Sequence, residues 1–166
     1  MYRFTAGCLA VLAYLGGFQA MAATSAPIAT VIAEFDNLDT AGESAERTAA
    51  HAARVHAFAG ALGHSLSTEK FEIVALSCTR PVCSPKDMPS EAFLQAARDS
   101  GARLVVYGAI QKMSTLVQIG VVQAIDMKSD KVVLNQHITF RGDSDEAFRR
   151  AATFVTDYLN KASFTP

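Results

Sequence analysis

RLVVYGAIQKMSTLVQIGVVQAIDMKSDKVVLNQHITFRGD, residues 103–143, decides the fold. Its opening, Arg103 to Ile110, is nearly continuous apolar sequence, which suits a central strand covered on both faces. Further on, Val117, Ile119, Val121 and Ile125 alternate with Gln118, Gly120, Val122 and Ala124. Past Met127-Lys128-Ser129-Asp130, a second run places Val132, Leu134, Ile138 and Phe140 between Val133, Asn135, His137 and Thr139. Alternation on both sides of a short turn predicts an antiparallel hairpin with one face packed inward and the other at least partly wet. Gln118, Gln123, Asn135 and His137 are assigned to the wet face, as possible contacts for a ligand or partner. For His137 the plainer role is a cross-strand hydrogen bond.

The flanks complete the architecture. Ile28 to Phe35 is a β-branched, apolar first strand, and Asp36 to Glu43 is a polar, turn-rich loop. From about Ser44 the periodicity turns helical, with Val55, Phe58, Leu62 and Leu66 on one stripe. Phe71 to Leu76 reads as a second strand. Pro89 or its neighbours open a second helix carrying Phe93, Leu94 and Ala97, which Ser100-Gly101 stops. A last helix is capped by Asp143 or Ser144, with Glu146 in capping-box spacing. Its stripe is Phe148, Ala151, Ala152, Val155 and Leu159. The expected order is β-α-β-α-β-β-β-α, an α/β (α+β) mixed sheet in two or three layers with a C-terminal antiparallel hairpin.

Residues 1–22 read as a secretory signal peptide. Arg3 is the positive start, Ala6 to Phe18 is the apolar stretch, and Ala20-Met21-Ala22 is the small-x-small cleavage pattern. The stretch is too short to span a bilayer, and no other segment reaches that length. A lipoprotein reading would use Ala6-Gly7-Cys8, but the apolar region follows this cysteine instead of preceding it. The expectation is therefore one exported domain, residues 23–166, in the periplasm. A net charge of −1 gives no basic face for nucleic acid and no polybasic patch for anionic lipid.

Cleavage removes Cys8, leaving Cys78 and Cys83 in SCTRPVCSP, residues 77–85. In an oxidising compartment, two cysteines close in sequence read first as a disulfide, worth on the order of 2 kcal/mol in the entropic account. Thiol–disulfide exchange stays open, since Cys83 lies just before Ser84-Pro85, a plausible helix start that would lower a thiol pKa. A zinc site would need a second Cys/His pair at partner spacing, and none is present.

Other polar groups are weighed by position. At about 100° per residue, His51 shares the core stripe of the first helix, whereas His56 and His64 fall near 140° and 220° on its polar face. No two of them have the i, i+4 spacing of a shared metal. Asp143, Asp145 and Glu146 read as a helix N-terminus. Glu34, Asp36 and Asp39 lie just past a strand end, where open α/β sheets place ligands, and are candidates for a small ligand or hard cation. They lack calcium-loop spacing. The sequence contains no nucleophile elbow, phosphate loop or dinucleotide fingerprint, so no catalytic residue is assigned, and neither metal nor cofactor is expected.

Two resemblances follow from these stretches. Gly101 to Val155 resembles an uncharacterised family of secreted proteobacterial proteins, through Leu104-Val105-Val106-Tyr107-Gly108, Lys112-Met113-Ser114-Thr115-Leu116, Phe140-Arg141-Gly142-Asp143 and Asp145-Glu146-Ala147. The Cys78/Cys83 pair is similar to a feature of that family. More coarsely, the order of elements resembles the N-terminal domain of TolB and CsgG-like envelope proteins. Ser129-Asp130 stands where such hairpins often carry Thr-Gly. The resemblance implies a periplasmic fold used for contacts with an envelope protein partner, and brings no catalytic residues.

Overall fold

The computed structural model describes residues 26–39, 41–77, 85 and 88–164. The signal segment 1–22, Cys78 and Cys83 lie outside the described residues. The strands are β1 (Ile28–Ile32), β2 (Asp36–Asn37), β3 (Phe71–Ile73), β4 (Leu104–Lys112), β5 (Val117–Asp126) and β6 (Lys131–Arg141). The helices are α1 (Ala45–Ser67), α2 (Ser90–Asp99) and α3 (Asp145–Lys161). All six strands join one mixed sheet in the order β3-β1-β4-β5-β6, with the short β2 beside the far end of β4. β1 is parallel to β3 and β4, and β4, β5 and β6 form an antiparallel meander.

The long first strand expected over Ile28–Phe35 is broken. Regular pairing stops at Ile32 and resumes at Asp36, so part of the expected loop is strand. The break turns Phe35 under the helices, edge-on to Phe58 with ring centroids 4.8 Å apart. Gly108 makes the space. A Cβ there would lie 2.7 Å from the Phe35 ring and 2.1 Å from the Val121 carbonyl oxygen. The second strand also ends early, at Ile73.

α1 starts where the sequence indicates, with Ser44 Oγ accepting from the Arg47 amide at 3.5 Å. α1 and α3 pack together on one sheet face. Phe58, Leu62, Leu66, Phe148, Val155 and Leu159 close over Leu104, Val106, Ile110, Val122 and Ile138. Each such side chain contributes about 1.5–3 kcal/mol by leaving water. The shorter α2 lies on the opposite face, where Phe93 and Ala97 cover Val31, Ala33, Val105 and Met127. The sheet is thus sandwiched at its centre.

Two assignments in the hairpin are corrected. Gln118 is buried, because its register opposite Lys112 and Phe140 puts it on the α1/α3 face. Val132 is exposed, because a bulge at Ala124/Ile125 shifts the pairing and ends the strict alternation. The connecting turn seats Asp130 at φ +52°, a left-handed conformation that Asp tolerates better than most residues. Arg103 holds its start, donating from Nε to the buried Asp126 at 2.9 Å.

Candidate functional site

α2 is ten residues long, and its Phe93 and Ala97 cover the part of the sheet face around Val31, Ala33 and Val105. Beyond it, β4, β5 and β6 present rows of aligned side chains: Tyr107, Gln123 and Asn135; Ala109, Val121 and His137; Gln111, Ile119 and Thr139. Three of the four residues expected on the wet face are here. Gln123 Nε2 donates to Asn135 Oδ1 at 3.3 Å. His137 is exposed and stands opposite Val121, which has no polar group, so its register provides no cross-strand hydrogen bond.

The face runs into the β4–β5 turn. There Met113 is 49 % and Leu116 70 % exposed, and Leu38, bonded through its amide to Ile110, is 50 % exposed. The turn is firmly built. Ser114 Oγ accepts from the amides of Leu116 and Val117, both at 3.2 Å, and Gly142 N donates to the Leu116 carbonyl at 3.0 Å.

On the opposite face, under this turn, lies a charged cluster. Lys112, only 1 % exposed, donates through Nζ to Glu43 and to Asp143 Oδ2, the latter at 2.6 Å. Asp143 Oδ1 also accepts from Arg54 Nη1 and from His51 Nδ1, each at 3.1 Å. Arg54 Nε donates to Asp145 at 3.0 Å. Burial pushes the Lys112 ammonium down, but hydrogen bonds to Asp143 and Glu43 outweigh it and hold the group above the usual lysine range. Burial likewise pushes Asp143 up, and its bonds to Lys112 and His51 outweigh that, leaving the carboxyl below its ordinary value. His51 is fully buried, edge-on to Phe148 at 5.7 Å.

The cluster clamps the end of β4 to α1, to the segment before α1 and to the β6–α3 turn. It borders a pocket of about 260 Å³ lined by Glu43, Arg47, Ala50, Arg54, Lys112, Thr115 and Asp143. The sequence places His51 on the core stripe and leaves the cap of α3 to Asp143 or Ser144. Of the two, Ser144 makes the cap, accepting from the Ala147 amide at 3.3 Å and leaving Asp143 for the clamp. One signal was available for Lys112. It shares strand parity with Leu104, Val106, Gly108 and Ile110, the inward set.

Glu34, Asp36 and Asp39 do not converge. Glu34 Oε1 lies 3.2 Å from His56 Nδ1 on the surface, Asp36 opens β2, and Asp39 Oδ1 accepts from the Ala41 amide at 2.9 Å. Among the described residues no group of three or more His, Cys, Asp or Glu side chains could hold a metal ion.

The chain belongs to the DUF3280 family, described as a protein of unknown function (DUF2380), whose model matches residues 28–159. No curated protein matches the chain. Three solved structures share the fold at a TM-score of 0.50, each over 81 % of this chain. TolB from Acinetobacter baumannii is 14 % identical, with 28 % of its own chain covered. Lipoprotein GNA1162 from Neisseria meningitidis is 12 % identical, with 96 % covered. The hypothetical protein CT253 from Chlamydia trachomatis is 12 % identical, with 98 % covered. Identities this low establish a common fold. Among the described residues no helix is long and apolar enough to cross a membrane.

Proposed function

We propose that this family member is a non-catalytic accessory protein of the bacterial envelope. It is exported by residues 1–22, works in the periplasm as the domain 23–166, and binds a protein partner. The observation that carries this function is the open sheet face: among the described residues no helix covers Ile119, Gln123, Asn135 and His137, which run into the exposed Met113 and Leu116. Apolar groups interleaved with amides suit a protein surface, since the apolar atoms supply burial and the amides fix register. The fold likeness to TolB and to a lipoprotein adds support at the level of architecture only. Cys78 and Cys83 are assigned a local disulfide that ties the exit of β3 to the entry of α2.

Affinity capture from an envelope extract, with residues 23–166 as bait, tests the proposal. One specific protein should be retained, and an Ile119→Asp/Leu116→Ser variant should lose it without losing its fold. Retention of the same protein by the variant would exclude this face, and turnover of a small molecule by the purified chain would exclude a non-catalytic role. Mass spectrometry of the unreduced chain should show Cys78 and Cys83 joined.

A further inference from the structure

The pocket above Lys112 offers hydrogen-bonding capacity of both signs that the described residues do not use. On the acidic side, Glu43 gives one carboxylate oxygen to Lys112, while its Oε1 is buried and accepts no hydrogen bond. Arg47 Nη1 lies 3.7 Å from that oxygen, beyond hydrogen-bonding range, on a side chain 67 % exposed. On the basic side, Arg54 spends Nε on Asp145 and Nη1 on Asp143, so the far end of its fork remains for another acceptor. Arg47 and the Thr115 hydroxyl line the same space as further donors. Ala50 keeps one wall low.

These features select a ligand class by elimination. A simple anion would meet Arg47 and Arg54 but would also face the carboxylates of Glu43 and Asp143. A metal ion or simple amine would meet Glu43 but would face Lys112, Arg54 and Arg47. A molecule with an ammonium and a carboxylate a few atoms apart satisfies both sides. At about 260 Å³ the pocket is smaller than sites for drug-sized ligands, so the molecule must be small. We propose that this pocket binds a small zwitterion of the amino-acid class. The ammonium is received by Glu43 Oε1, and the carboxylate by Arg47, Arg54 and Thr115. Arg47 acts as the movable element. Its long exposed side chain swings from above Glu43 to the ligand carboxylate, uncovering the oxygen that receives the ammonium.

The test is a titration of the purified protein, followed by amide chemical shifts and thermal stability. Glycine, alanine and glutamate serve as zwitterions, propionate as the carboxylate alone and ethylamine as the ammonium alone. At least one zwitterion should raise the melting temperature in a saturable way and shift amides around Ala50 and Thr115. Propionate and ethylamine should do neither at the same concentration. Arg47→Ala, at an exposed position, should keep the unliganded melting temperature and weaken binding at least tenfold, with partial rescue by Arg47→Lys. Absence of any saturable zwitterion response overturns the proposal. So does equal binding of propionate, which would make the pocket a plain anion site, or unchanged affinity in Arg47→Ala.

Discussion

The two faces of β5 treat polar side chains in opposite ways. On the α1/α3 face Gln118 sits beside Lys112, which meets two carboxylates, and both residues are buried. On the other face Gln123 and Asn135 share one hydrogen bond near the surface, and His137 is exposed. A buried charge without a partner is far more expensive than an exposed one, so the closed face must be assembled as a unit. Polar groups on the open face are interchangeable as far as folding is concerned. One strand therefore carries a folding determinant on one side and the proposed recognition surface on the other.

The contrast can be broken most severely at Lys112. Lys112→Ala removes the shared donor and leaves Glu43 and Asp143 buried with fewer partners, for an expected loss of about 3–5 kcal/mol in urea unfolding. A loss below about 1 kcal/mol would mean that the clamp contributes little.

Acid and alkali probe the same clamp from both ends. Asp143 is held below its ordinary 3.8, so its stabilisation is fully present above that pH and is lost as pH falls through the depressed value. Lys112 is held above its ordinary 10.5, so its stabilisation is full below that pH and is lost as pH rises through the raised value. Unfolding free energy against pH should show a plateau between these limits, and Asp143→Asn should flatten the Asp143 part of the acid-side fall. An unchanged acid limb in that variant would assign the fall to other carboxyls.

Gln118 sharpens the comparison with a gain. Both of its amide atoms are buried without a partner in the protein, and Gln118→Met keeps the length while removing them. Stability should rise by about 1 kcal/mol. A fall would show that the amide is satisfied in solution.

The smallest effect belongs to the open face. Gln123→Ala and His137→Ala should each change stability by no more than about 0.5 kcal/mol, while weakening retention of the proposed partner. A larger change in unfolding would mean that the face is structural.

Legibility in the sequence followed the range of the interactions. The Ser44 start of α1 and the antiparallel hairpin were readable because a cap or an alternation lies within a few residues. His51 could be placed on the buried stripe by helical phase alone. The break at Ala33–Phe35 could not, since its cause is the space left by Gly108, more than seventy positions away in sequence. Gln118 was misassigned for a related reason. Alternation separates the two faces of a strand but does not say which one the helices will cover, and Val122 and Ala124 are apolar enough to serve on either.

The clamp was the least legible feature of all. Glu43, His51, Arg54, Lys112 and Asp143 come from four separate parts of the chain, and no spacing rule joins them. The sequence by itself determined the three helices with their apolar stripes and every strand but β2, because these depend on periodicity and on neighbours along the chain. Only the tertiary structure decided which face of the hairpin is sealed, that Asp143 serves the clamp while Ser144 caps the helix, and that a pocket with both charges opens over Lys112. Those outcomes depend on distances between residues far apart in sequence, which are fixed when α1 and α3 close over the sheet.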